Sequence, residues 1–309
     1  MKSPKLTEDR LQDAVRFIES NARQLDRRYY EYFFEDASSK DVLSELSKYQ
    51  NKDGGFGHAI EPDFRMRSSS PMATSVALQY YTGVDGPEEE ELIERAIKYL
   101  IQTFDVEQKY WPATTMEVND SPHAPWWHLR EVKRPQGADW ANPSAELAGY
   151  LFKYPYYVPE DLLDTLSDIV MDYVEMHDYV DSWLYNVMCW ERVYYCFPTP
   201  LRTKIEQMIR ATFQHYRPMQ KDTLNEIRIF WIAPHPTSLM AQVDRDTVMS
   251  MLEEEIDNQA ADGGWWPTWR WGQYEEVWPT AEKEWAGKIT TEALRGLDSF
   301  NMIRGRNGW

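Results

Sequence analysis

The sequence predicts a single all-α domain over residues 1–309, and three observations support this fold class. Apolar residues recur at helical spacing almost everywhere, no convincing series of strands is present, and one short phrase is repeated near the two ends of the chain. No glycine- and serine-rich linker or low-complexity tract divides the chain. With 42% hydrophobic and 27% charged residues, the composition is ordinary for a globular protein and allows a sizeable core.

The periodicity predicts about ten helices. One begins after Gly86-Pro87, because proline suits a first helical position, residues 88–91 are acidic, and apolar residues from Leu92 to Phe104 repeat at helical spacing. The other predicted helices, in chain order, cover residues 10–26, 41–49, 71–81, 143–152, 160–176, 181–195, 201–215, 245–259 and 284–300.

Charge and cysteine content limit the function classes. The formal net charge is −18, and a chain this negative repels a polyanion. The charge therefore argues against a protein that binds nucleic acid through its overall electrostatic potential. The first twenty residues lack the apolar core of a signal peptide, and no later stretch is apolar enough to span a membrane. Cys189 and Cys196, seven apart in a predicted helix, are too distant for an unstrained disulfide and suit a reducing compartment. We therefore expect a soluble, cytoplasmic protein.

The repeated phrase is Q-x-x-D-G-G-aromatic, at residues 50–56 and again at 259–265. Each copy follows an amphipathic helix and precedes, after a loop, a helix of small residues at 71–78 or 289–294; residues 142–147 form a third, degraded start of that helix. The paired glycines permit positive φ, the aspartate favours a turn, and the glutamine can meet free backbone groups at a helix end. These properties predict a structural motif that ends one helix and turns the chain. They assign no catalytic role to Asp53 or Asp262.

The phrase, followed by a T/S-x-x-A-L helix, resembles the QW and prenyltransferase/squalene-oxidase repeats of the terpenoid cyclase and protein prenyltransferase superfamily. The match covers residues 50–79 and 259–295 and is inferred for the middle of the chain; the run 54–65 resembles a bacterial subgroup known by the repeat alone. This resemblance implies an (α/α)6 toroid, in which inner helices line a central cavity and outer helices pack around them.

The catalytic residues of that superfamily have no counterparts here. The D-x-D-D motif of the cyclases is absent, and the D-x-C spacing of the zinc-dependent prenyltransferases is missing, because Val187 and Tyr194 stand two residues before the cysteines. Phosphate-loop, dinucleotide, nucleophile-elbow and H-E-x-x-H motifs are also absent. The sequence therefore identifies no cofactor, and it predicts no metal site, since His58, Glu61 and Asp63 lack a diagnostic spacing.

Candidate catalytic residues Glu61, Asp63 and His58 lie with Arg65 in the loop after the first copy, which the toroid resemblance puts at one mouth of the barrel. If Pro62 keeps this segment extended, Glu61, Asp63 and Arg65 project on one side. Two close carboxylates raise the pKa of one of them, which a general acid requires, although Arg65 opposes the shift. The alternative is a salt-bridged loop in which Arg65 and His58 merely neutralise the two acids.

Tryptophans form a second candidate feature. Six of the 14 lie between residues 265 and 285, in a segment whose glycine and Trp-Pro pairs predict a long loop, and a second group lies in a proline-rich stretch. Aromatic faces can stabilise a cation or support an apolar ligand. The alternative is that the rings plug one end of the toroid. The candidate substrate-binding residues are Arg65, Trp126, Trp127, Trp140, Trp266, Trp269, Glu284 and Trp285.

These features support three hypotheses. The leading one is an enzyme with an aromatic-lined central pocket for a bulky, isoprenoid-like small molecule, which uses acid–base chemistry from Glu61 or Asp63. The first alternative is a carbohydrate-active hydrolase or lyase that binds a saccharide, with Glu284 as one candidate partner carboxylate. The second is a binding or scaffold protein without catalysis. Fold alone does not choose among them.

Overall fold

The computed structural model describes residues 5–84, 90–135, 137–180, 184–217 and 227–306. Within these ranges the chain is helical and has no β-strand beyond isolated bridges, which confirms the all-α prediction. The described α-helices are α1 (Glu8–Asn21), α2 (Gln24–Phe34), α3 (Ser39–Ser47), α4 (Pro71–Gly83), α5 (Glu90–Thr103), α6 (Ala141–Lys153), α7 (Glu160–Met176), α8 (Leu184–Val193), α9 (Leu201–His215), α10 (Ile229–Ile232), α11 (Leu239–Val243), α12 (Arg245–Asp257) and α13 (Trp278–Ser299).

Four helices differ from the periodicity. Helix α13 begins at Trp278, six residues before the predicted start at residue 284 and inside the predicted long loop, because Pro279 suits the first turn of a helix. The predicted helix 10–26 ends at Asn21, and α2 begins at Gln24, because Arg23 adopts an extended ψ of 154° between them. Helices α10 and α11 are too short to give a periodic signal. The predicted helix starts at Pro87 and Asp181 lie outside the described residues.

Local capping explains several helix starts. The Ser70 side chain accepts a hydrogen bond from the Ala73 N–H at 3.1 Å, and Pro71 occupies the first turn of α4. Asp244 similarly accepts from the Thr247 N–H at the start of α12. Because these caps satisfy N–H groups that the helices leave free, they fix where α4 and α12 begin.

The described residues divide into two compact units. One unit comprises Met1–Ser38 with Phe213–Trp309, and the other comprises Ser39–Thr212. The sequence predicts one domain over residues 1–309, and this remains a prediction.

Helices within each unit differ in how much of their surface is buried. Helix α5 buries one stripe, whereas α4 and α6 are buried on almost every side and carry mostly small and apolar residues. In the unit Ser39–Thr212, α6 packs against α4 and α8 as well as against α5 and α7. The core of this unit therefore lies along α4, α6 and α8.

The other unit joins the two ends of the chain. The Leu6 N–H donates to the Met302 carbonyl oxygen at 2.8 Å, and the Arg304 N–H donates back to the Leu6 carbonyl oxygen at 3.0 Å. Helix α13, which is buried along most of its length, packs against both α1 and α2. The N-terminal helices thus complete the packing of the C-terminal part of the chain.

Candidate functional site

The first copy of the repeated phrase forms a closed turn. Gln50 Nε2 donates to the carbonyl oxygens of Gly54 and of Leu92, both at 2.9 Å, and Leu92 is the third residue of α5. The Asp53 carboxylate accepts from the Gly55 N–H at 3.0 Å. Glutamine and aspartate therefore act on the backbone of the turn and attach it to a neighbouring helix.

The second copy repeats this geometry in the other unit. Gln259 Nε2 donates to the carbonyl oxygens of Gly263 at 2.8 Å and of Arg10 at 2.9 Å, and Arg10 is the third residue of α1. The Asp262 carboxylate accepts from the Gly264 N–H at 3.0 Å. Gln259 therefore attaches the second turn to α1, the first helix of the chain, in the same way that Gln50 attaches the first turn to α5.

The aromatic residue of each phrase is fixed by a buried hydroxyl. The Phe56 N–H donates to Thr74 Oγ1 in α4 at 3.1 Å, and the Trp265 N–H donates to Thr290 Oγ1 in α13 at 2.9 Å. Each threonine also donates to the carbonyl oxygen of the residue four positions earlier in the chain. The hydroxyl therefore connects the turn to the buried helix that follows it.

The degraded third copy keeps the same contact. The Trp111 N–H donates to Ser144 Oγ in α6 at 3.1 Å. Its indole Nε1 donates to the Leu100 carbonyl oxygen at 2.7 Å, just as Trp265 Nε1 donates to the Glu255 carbonyl oxygen at 2.7 Å. One structural unit is therefore used at least three times among the described residues.

The loop after the first copy buries both of its carboxylates. Glu61 is 7% exposed and Asp63 is 5% exposed. The segment is not extended as predicted, because the Phe64 N–H bonds to the Glu61 carbonyl oxygen in a turn with Pro62 at its second position. Proline favours that position because its φ is already fixed near −65°.

Backbone pairing holds this loop against a second segment of the same unit. The Ala124 N–H donates to the Asp63 carbonyl oxygen at 2.7 Å, and the Arg65 N–H donates to the Pro122 carbonyl oxygen at 2.8 Å. His58, by contrast, is exposed, and its Nε2 lies 2.9 Å from Asn51 Oδ1. The pairing thus aligns residues 63–65 with residues 122–124. We refer to the two segments that contain them, residues 61–65 and 122–128, as the loop pair.

Two predicted tryptophans belong to the loop pair, and a third does not. Trp126 is 52% exposed, while the Trp127 ring packs edge-on against Phe64 with centroids 5.2 Å apart. Trp127 Nε1 is buried and has no hydrogen-bond partner in the described part of the chain. Trp140 lies in the core of the unit, where its Nε1 donates to the Lys109 carbonyl oxygen at 2.8 Å.

The loop pair also contains two histidines that the sequence analysis did not select. His123 Nδ1 lies 2.6 Å from the Ser121 carbonyl oxygen, and His123 Nε2 lies 3.3 Å from His128 Nδ1. The two rings are stacked, with an interplanar angle of 17°. Their separation of five residues gives no helical signal, so only the structure reveals the pair.

A tryptophan cluster occurs in the other unit. Trp269 contacts Trp285 edge-on at 5.2 Å between centroids, and both contact Trp231 at 6.2 and 6.4 Å. Trp231 Nε1 donates to Glu292 at 2.7 Å, and Glu292 forms an ion pair with Lys288. Sequence reasoning found the first two indoles but missed Trp231, which lies on the four-residue helix α10.

The remaining predicted residues lie apart from that cluster or at its edge. Trp266 Nε1 donates to the Asp262 carboxylate at 3.0 Å, and its ring meets Phe17 edge-on at 5.6 Å. Glu284 is half-buried and directly precedes Trp285 on α13. Trp266 therefore extends the repeated turn.

A buried ion pair adjoins the second turn. Arg228 lies 2.9 Å from Glu255, and the two side chains are 9% and 7% exposed. Burial raises the pKa of Glu255, and the Arg228 guanidinium opposes that shift.

Several classes of site are absent from the part of the chain that the structure describes. No group of three or more histidine, cysteine, aspartate or glutamate side chains there could hold a metal ion. No described helix has both the length and the apolar content needed to cross a bilayer.

No protein-family model, curated protein or solved structure matches the chain.

Proposed function

We propose that this chain is an (α/α)6 toroid of the terpenoid cyclase and prenyltransferase type and that it is an enzyme acting on a bulky small molecule at the loop pair. In this arrangement, outer helices α1, α3, α5, α7, α9 and α12 alternate along the chain with inner helices α2, α4, α6, α8, α10 and α13.

Two observations support the toroid. The repeated turn attaches to α5 in one unit and to α1 in the other, so the first helix of the chain completes the last repeat. In a closed ring of helical hairpins the first and last repeats must contact each other. The backbone hydrogen bonds of Leu6 with Met302 and Arg304 form such a contact.

The observation that carries the functional proposal is the backbone pairing of residues 63–65 with residues 122–124. It connects a loop with two buried carboxylates to a segment that contains the half-exposed indole of Trp126. The same segment contains Trp127 Nε1, a buried hydrogen-bond donor without a partner among the described residues. A buried polar atom without a partner is uncommon in proteins, and a ligand oxygen would satisfy it. The loop pair therefore combines an apolar face, a hydrogen-bond donor and acidic groups.

The chemistry we assign to this site is proton transfer. Glu61 and Asp63 are both buried in the same turn. We assign the role of proton donor to one of these two carboxyl groups and the role of charged partner to the other. Either an alkene or a glycosidic oxygen can accept that proton.

Saccharides are the second substrate class to consider, because a half-exposed indole beside carboxylates suits the apolar face of a sugar ring. Trp126 provides such an indole. The isoprenoid class instead needs an apolar enclosure. The two classes can be separated directly by binding.

The experiment is thermal unfolding of the purified full-length chain against polyprenyl alcohols and diphosphates, with and without Mg²⁺, and against neutral and acidic oligosaccharides. Any compound that binds the folded state raises the melting temperature. Matched variants are Glu61→Gln and Asp63→Asn, with the exposed acid Glu160→Gln on α7 as the control.

We expect one chemical class to raise the melting temperature of the wild type and of Glu160→Gln, and we expect this gain to disappear in Glu61→Gln or Asp63→Asn. A gain that survives both loop substitutions would overturn the assignment of the site to the loop pair. No gain with any compound would favour the scaffold alternative.

A further inference from the structure

We propose that His123 and His128 act as one proton-uptake pair in the loop pair, with His128 Nε2 as the atom that exchanges a proton with a bound ligand and His123 as the positioning residue. This inference rests on the proposed function, because it assigns a role within the same ligand site.

The direction of each hydrogen bond follows from the chemistry of the partners. A carbonyl oxygen only accepts, so the contact of 2.6 Å between Ser121 O and His123 Nδ1 requires a proton on that nitrogen. When the His123 ring is neutral, its Nε2 then carries a lone pair and accepts from His128 Nδ1, 3.3 Å away. Both rings are therefore Nδ1–H tautomers in the neutral pair, and the lone pair of His128 lies on Nε2.

Uptake of one proton leaves this chain of bonds intact. The proton adds to His128 Nε2, and Nδ1 of the same ring continues to donate to His123. A proton added to His123 Nε2 instead would face the Nδ1–H of His128 and break their bond. The pair therefore takes up a proton at a single atom.

Burial agrees with this assignment. His123 is 2% exposed, whereas His128 is exposed, so a positive charge on His128 keeps contact with water. Among the described residues, no hydrogen bond occupies His128 Nε2. That atom can therefore take the proton of a ligand hydroxyl, which leaves the ligand oxygen with the electron pair of the broken O–H bond.

Charged groups on three neighbouring segments set the local field. They are Glu61, Asp63 and Arg65 on the paired loop, Glu117 and Asp120 on the short helix Met116–Asp120, and Arg130 and Glu131 just after the pair. The helix is attached to the pair because Asn119 exchanges two hydrogen bonds with the Leu129 backbone. Acids outnumber bases on these segments.

The test is nitrogen NMR of the histidine rings in the full-length protein without ligand. The expected result at alkaline pH is an Nδ1–H tautomer for both His123 and His128, and on acidification the Nε2 signal of His128 changes first. Assignments come from His123→Gln and His128→Gln. An Nε2–H tautomer for neutral His123, or protonation of His123 before His128, would overturn the assignment of proton uptake to His128 Nε2.

Two variants separate positioning from simple packing. The amide oxygen that His123→Gln introduces can still accept from His128 Nδ1, whereas His123→Leu offers no acceptor. We expect His128 to remain Nδ1–H in His123→Gln and to lose at least about half of that tautomer in His123→Leu. Equal tautomer populations in the two folded variants would contradict the positioning role. Because no ligand is present, this result is independent of the ligand panel that tests the proposed function.

Discussion

Gly54 lies so close to α5 that a Cβ atom built on it would be 2.4 Å from the Arg95 carbonyl oxygen. Gly54 also has a φ of +92°, which other residues rarely adopt. In the second copy, Gly263 has a φ of +94°, and its Cβ would lie 2.3 Å from the Asp13 carbonyl oxygen. The first glycine of each pair is thus required twice over, by conformation and by space.

We therefore expect Gly54→Ala and Gly263→Ala each to lower the free energy of unfolding by about 2–5 kcal/mol, through left-handed backbone strain and a clash with rigid backbone. The control is Gly272→Ala, because Gly272 has a φ of +66° but nothing within 4 Å of its Cβ. It should cost only about 1–2 kcal/mol. Denaturant unfolding measures all three, and equal costs would contradict the close packing of the turns.

The shared hydroxyl contact predicts equivalent losses in the three copies. Thr74→Val, Thr290→Val and Ser144→Ala each leave a buried backbone N–H without its acceptor, which should cost about 1–3 kcal/mol. Thr82→Val is the control, because the Thr82 hydroxyl donates to the Leu78 carbonyl oxygen within its own helix. We expect it to change stability by less than about 0.5 kcal/mol. A loss at Ser144 no larger than at Thr82 would remove the third copy from the repeat.

Much of this architecture could be predicted from the sequence, because the repeated phrase acts locally. Paired glycines, a turn-forming aspartate and a glutamine predict a turn wherever they occur together, and the bounds of α7 and α9 agree with their apolar spacing. The break at Arg23 was missed because the residues on both sides of it favour helix.

The candidate site was less predictable, because distant segments build it. The local pattern selects Glu61 and Asp63, yet nothing local indicates that residue 64 pairs with His123. The extended segment predicted around Pro62 is a turn, because proline suits that position equally well. Trp231 joins Trp269 and Trp285 only through tertiary packing.

The two cysteines are free, and we expect Cys196 to react slowly with alkylating reagents. Burial raises the pKa of the Cys196 thiol to about 11, against an ordinary value of 9.0. At pH 8 its thiolate fraction is then about 100-fold smaller than that of an ordinary thiol, since each pH unit is a factor of about ten. Mass spectrometry after iodoacetamide treatment should show a rate that rises about tenfold per unit from pH 8 to 10. A rate at pH 8 equal to that of a free thiol would contradict the burial.

The Arg228–Glu255 pair should be costly to break. Arg228→Met leaves Glu255 buried and charged, and we expect a loss of about 3–5 kcal/mol at pH 7. Lys48→Met, which removes the 62% exposed partner of Glu45, should cost less than about 1 kcal/mol.

The pH dependence of this variant has a definite sign. Burial already raises the pKa of Glu255, and the lost guanidinium opposed that rise, so the carboxyl protonates more readily when Arg228 is replaced. A raised folded-state pKa contributes stability at low pH that is lost as pH rises through that pKa. The stability difference between wild type and Arg228→Met should therefore shrink from pH 7 to pH 5. A stability difference between the two proteins that grows on acidification would contradict a raised pKa for Glu255 in the variant.

The most direct test of the loop pair as a ligand site is a double-mutant cycle between Glu61 and Trp126, with calorimetric affinity for the panel compound that stabilises the protein most. Glu61→Gln and Trp126→Ala should each weaken binding at least tenfold, and the double variant should lose less than the sum of the two, because both side chains hold one ligand. The control Tyr156→Ala, which removes an aromatic side chain that is 93% exposed, should leave affinity unchanged. Undiminished affinity in both single variants, together with loss of binding in Trp269→Ala, would contradict the central claim and move the site to the tryptophan cluster.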